Sequence, residues 1–142
     1  MRIGAMTYWL AEQLLNASMR GTAYTTPTDV YVALYTADPT KAGLGTEVTG
    51  GAYERLKGTF TAPAQVTDTT VTPNVTYTVI KNTADLIFPK ATAGWGTVSH
   101  VAIFDDETAG NMLFQGPLEN PKAVDEDDLM VFLAGDLVLG IN

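Results

Sequence analysis

Only one stretch of this chain can sustain a helix, and that limits the fold more than any other feature. From Tyr8 to Met19 there is no Gly, no Pro and no β-branched residue. Thr7 stands where an N-cap hydroxyl can accept a free backbone N–H. Met6, Trp9, Leu10, Leu14 and Ala17 recur at three- and four-residue steps and form an apolar stripe. Gly21 follows Arg20, a pairing suited to a left-handed C-cap and to the negative end of the helix dipole. Three turns are marginal in isolation, so this helix must dock on something. Either it covers its own chain or it projects as a docking element; packing on its own chain is the favoured alternative.

Everything after Gly21 reads as β-structure. Val30, Val32 and Leu34 alternate with Tyr31, Ala33 and Tyr35, the period of a strand, and both sets are apolar enough for a central one. Pro39 ends it, because proline cannot donate to a ladder. Lys41–Gly51, rich in glycine, reads as an exposed loop. Further strands are predicted at Tyr53–Thr61, Val75–Lys81, Ala84–Phe88, Thr97–Phe104, Asn111–Gln115, Leu129–Ala134 and Leu137–Ile141, with a weaker one at Gln65–Val71. Turn signals separate them, among them Thr72-Pro73-Asn74, Gly116-Pro117 and Gly135-Asp136. The expectation is a mainly β fold: an antiparallel β-sandwich, jelly-roll-like or Ig-like, preceded by one short amphipathic helix. It forms a single domain over 1–142, the helix in 1–21 and the sandwich in 22–142.

Composition removes most catalytic classes. Among 142 residues there is no Cys and one His. Thiol nucleophiles, disulfides and multi-His metal centres within one chain are therefore excluded. A net charge of −8 argues against wrapping nucleic acid or lying on an anionic membrane. No apolar run approaches the ~20 residues that span a bilayer. Met6–Leu15 lacks the flanks of a signal peptide.

The individual candidates for chemistry are weak. Asp125-Glu126-Asp127-Asp128 has carboxylates for Ca²⁺ but not the alternating ligands and central glycine of a calcium loop, and reads as a solvated acidic turn. Asp105–Asn111 reads as a hairpin loop in which Gly110-Asn111 takes the positive-φ positions. His100, in strict alternation, shares a face with Val98 and Ala102 and reads as a partly buried structural histidine. Ser18 and Ser99 could complete a triad only in principle: one lies in the helix, the other faces away from His100, and no nucleophile elbow is present. Gly94-Trp95-Gly96 and Gly43-x-Gly45 lack the context of phosphate loops. Asn16 and Asn74 fit a glycosylation pattern that matters only in a secretory pathway. No cofactor is expected. The features left are surfaces, namely the stripe of Met6, Trp9, Leu10 and Leu14, and the loop residues Leu44 and Val48.

Three blocks in order carry a resemblance. They are Gly21–Thr40 with Gly45–Arg55, then Phe88–Asp105, then Gly110–Phe114 with Pro121-Lys122. Together with the preceding helix, they resemble a family of small tailed-bacteriophage virion proteins usually labelled phage tail fibre proteins. Thr61–Leu86 is longer and more Thr-rich than that pattern. The resemblance implies a non-enzymatic structural protein of the virion, made in the host bacterial cytoplasm. Its partners would be other virion proteins, the major capsid protein or tail proteins, and a homotrimer is the favoured assembly. Size favours a capsid decoration or minor capsid protein on the outer head surface, which stabilises the assembled shell by mass action. The alternative is a tail fibre or tail-tip protein, in which Tyr24, Tyr53 and Trp95 could stack on cell-surface sugars.

Overall fold

The computed structural model describes residues 3–142. The chain begins with a short strand, β1 (Gly4–Met6), before the helix α1 (Tyr8–Arg20). Ten strands follow: β2 (Val30–Ala37), β3 (Thr46–Glu47), β4 (Leu56–Gly58), β5 (Ala64–Asp68), β6 (Val75–Lys81), β7 (Leu86–Ile87), β8 (Gly96–Phe104), β9 (Met112–Val124), β10 (Val131–Phe132) and β11 (Val138–Ile141). The fold is mainly β with one short helix, consistent with a β-sandwich.

The helix ends follow from their caps. Thr7 Oγ1 accepts the Leu10 N–H at 3.3 Å, and Gly21 takes a left-handed φ of 66° while its N–H returns to the Asn16 carbonyl. The same Thr7 hydroxyl donates to the Met112 carbonyl at 2.7 Å, so the cap also ties the helix to β9.

Nine strands form one sheet in the order β3-β2-β8-β9-β1-β11-β6-β5, with β4 also paired to β2. All its pairings are antiparallel except that of β1 with β11. The sheet curls back on itself. The chain from β4 leaves β2, and at Phe60 it bridges Asn82, with Thr61 N–H donating to Lys81 O and Thr83 N–H to Thr59 O. Residues from β2, β8, β9 and β11 therefore bound a single core, and a two-stranded ribbon of β7 and β10 covers it. Leu34, Val98, Phe88 and Val124 are fully buried there. A smaller cluster of Ala33, Tyr35, Ala102, Phe104 and Met112 occupies the opposite face of β2 and β8, as their alternation requires.

Four local expectations are corrected. Met6 is not helical; it closes β1, which fits between β9 and β11. A Cβ on Gly116 would lie 2.9 Å from the Gly4 Cα, so glycine there admits β1. Gly116-Pro117 does not end a strand, since β9 runs on to Val124. Between the pairs Val98↔Lys122 and His100↔Pro117 the register shifts, and the extra β9 residues are accommodated there. That irregularity also flips the phase of β8. Val98 shares the main core with Val101, so His100 lies with Ala102 and Phe104 but not with Val98. Finally, within the Lys41–Gly51 loop, Thr46–Glu47 pairs with β2.

Candidate interaction surfaces

The densest polar chemistry joins three loops. Arg55 Nε and Nη2 donate to the two carboxylate oxygens of Glu47 at 2.8 and 2.9 Å, a bidentate pair. Its remaining amino group donates to Asp106 O and Ala109 O, and the guanidinium covers the Phe104 ring. Burial opposes the charge on Arg55, but the Glu47 hydrogen bond and charge outweigh it and raise its pKa. Tyr53 donates to Glu47 Oε2 at 2.7 Å and accepts the Leu34 N–H at 3.0 Å. Leu34 lies in the gap on β2 between the β3 and β4 pairings, so the phenol takes the place of a missing strand partner. Burial and the Glu47 contact raise the pKa of Tyr53. Burial likewise pushes Tyr35 up to about 12, with Glu47 adding to the shift. Arg55 and Tyr35 also line a cavity of about 300 Å³, but all three guanidinium nitrogens are engaged within the cluster. It fastens loops.

The other polar candidates resolve into turns. Asp125 and Asp128 close on each other, through Asp125 N–H to Asp128 Oδ2 and Asp128 N–H to Asp125 O. In the Asp105–Asn111 loop, Asp105 Oδ1 accepts the Asn111 N–H at 2.7 Å. The positive-φ residues there are Ala109 and Gly110, not Gly110 and Asn111. Ser99 Oγ lies 2.8 Å from His100 Nδ1, and His100 Nε2 lies 3.7 Å from Asp38 Oδ1. The Ser99 side chain thus reaches its neighbour rather than facing away, because the irregularity at Val98–His100 breaks the alternation. Trp95 is core, its indole N–H donating to Gly51 O, and Tyr53 packs edge-on against it. Tyr24 packs edge-on against Trp9.

The residues singled out as docking side chains separate. Leu10 and Val48 are buried in the chain's own core, and Met6, Trp9 and Leu14 are half-buried. Leu44 is exposed. The helix therefore packs its predicted stripe inward, with α1 lying against β9. Its outward side carries Tyr8, Leu15 and Met19, the last 78% exposed, with Glu12 between them. Hydrophobic spacing could not single out this side, since the helix is apolar on both.

A second exposed apolar set lies on the β7/β10 ribbon. Leu86, Phe88, Met130 and Phe132 point into the core. Ile87, Leu129, Val131 and Leu133 point out, Ile87 and Val131 directly opposite one another. Beside them runs a groove of about 590 Å³, reached by Val131, Leu118, Lys81 and Lys122. The alternation at 129–133 was readable in the sequence, but which phase faced solvent was not.

Among the described residues, no helix is long and apolar enough to cross a membrane. No curated protein matches the chain. The family profile described as Podophage GP4 fiber I protein gp80 matches residues 5–140. The chain belongs to this phage fibre family, and is thereby a virion component that interacts with other virion proteins.

Proposed function

We propose that this chain is a compact fibre-type component of the tail, which works by binding neighbouring virion proteins and carries out no chemistry of its own. The observation that carries this reading is the match of residues 5–140 to a podophage fibre family. The surfaces are of the right kind. Two exposed apolar sets sit on rigid elements, while the polar cluster around Arg55 is consumed in holding loops.

Capsid decoration is the second reading. The curled sheet and its single helix make a compact body, and the described residues contain no shaft-like repeat. Such a body suits a protein that stabilises an assembled shell by mass action. Homotrimers fit both readings, because closed symmetry would cover the helix side of Tyr8, Leu15 and Met19 and the free edge of β5.

Immunogold labelling of purified virions, viewed by negative-stain electron microscopy, separates the two. Gold confined to the tail is the expected result. Gold spread over the head at high copy number replaces the fibre reading with decoration.

A further inference from the structure

We infer that the outer face of the β7/β10 ribbon docks a different virion chain, one that presents apolar side chains inside a ring of lysines or arginines. The inference rests on the virion reading and names the partner chemistry for one surface.

The ribbon is apolar without being loose. Leu133 is 57% exposed, yet its backbone is held on both sides. Its N–H donates to Asp136 Oδ2, and its carbonyl accepts from Asn82 Nδ2. Asn82 is itself buried, and its Oδ1 accepts the Leu137 N–H at 2.9 Å. Asp85 Oδ1 accepts the Ala134 N–H at 2.8 Å. At the other end, Lys122 Nζ donates to the Leu129 carbonyl. A surface so pinned loses little conformational entropy when a partner arrives. The adjoining groove, which Val131 also lines, gives it relief.

Charge decides the occupant. The segments Asp85–Lys90 and Lys122–Asp136 carry six acidic side chains and two lysines, half of the chain's net −8. Lys90 is already paired with Asp127, and Lys122 is turned toward the Leu129 carbonyl. A second copy placed face to face would set one acidic rim against another, which charge complementarity opposes. A partner with a basic rim removes that repulsion and steers the encounter.

The test uses phage carrying a nonsense codon in this gene, complemented in the host by wild-type or variant protein. Copies per purified particle are counted by quantitative mass spectrometry after washes of rising salt. Two variants are compared. Ile87→Thr/Leu133→Ser removes exposed methyl groups, and Asp125→Lys/Glu126→Lys reverses two exposed side chains, the Asp125 hydrogen bond to Asp128 being made by its backbone N–H. Urea midpoints near wild type show that both fold. The expected result is a loss of at least about ten-fold in occupancy for each, with salt releasing the wild type. Occupancy equal to wild type for the ribbon variant overturns the surface. Undiminished occupancy of the charge variant overturns the basic partner. Self-association of the purified chain that the ribbon variant abolishes identifies the occupant as a second copy and overturns the inference. Particles that lack even the wild-type protein overturn the virion reading itself, and this inference with it, a pattern distinct from the others.

Discussion

The guanidinium carbon of Arg55 lies 3.7 Å from the centre of the Phe104 ring while two of its nitrogens grip Glu47. One side chain thereby ties β3, the β8 end and the Asp105–Gly110 loop together. Its side chain is 7% exposed and that of Glu47 24%, so the pair is partly desolvated. Arg55→Ala leaves Glu47 with the Tyr53 hydroxyl alone and removes the guanidinium from two carbonyls, and is expected to cost about 2 kcal/mol. Arg55→Lys should recover only a part, since an ammonium offers neither the bidentate fork nor the planar stack. Urea denaturation of the three proteins measures both. A lysine variant as stable as wild type would show that the fork contributes nothing.

Alkaline pH should unfold the protein through its phenols. Tyr35 is pushed up to about 12 and Tyr53 is also raised, both chiefly by burial. A tyrosine whose folded pKa exceeds its unfolded value near 10 contributes stability that is fully present below pH ~10 and is lost as pH climbs through the folded value. Stability should therefore fall from pH ~10 to ~12, with less slope in Tyr35→Phe. In an absorbance titration without denaturant, Tyr35→Phe should remove one tyrosinate from the late part of the curve, near pH ~12.

Thr7 has two duties on one oxygen. It caps the helix and donates to Met112 O, and it is fully buried. Thr7→Val keeps the shape and removes both bonds, at an expected cost of about 1–2 kcal/mol. Thermal melts followed by circular dichroism check this. A shift in Tm too small to measure would mean that water replaces the hydroxyl.

Gly116 should tolerate no side chain. An added Cβ approaches the Gly4 Cα to 2.9 Å, backbone against backbone. Gly116→Ala should destabilise by about 1–3 kcal/mol. Hydrogen exchange should localise the damage to β1, whose amides lose protection first while β6 stays protected.

The local rules of the chain were legible from its residues alone. Thr7 and Gly21 bracket the helix because capping is a contact between near neighbours. Strand β6 spans Val75–Lys81, and β2 ends ahead of Pro39, because alternation and the missing N–H of proline act within a few residues. The family blocks, too, are read in order along the chain. What tertiary structure alone decided is which partner each element meets. Gly4–Met6 has no strand texture of its own, and becomes a strand only because β9 and β11 offer it ladders on both sides. The phase slip at Val98–His100 exists only where a longer β9 lies across a shorter β8. The helix could bury either side; docking on β9 hides Leu10 and leaves Tyr8, Leu15 and Met19 in solvent. The same holds for Ile87, Leu129, Val131 and Leu133, whose exposure is set by which side of the ribbon meets the core. Hydrophobic spacing records that a residue wants burial, but long-range pairing chooses which of the competing faces obtains it.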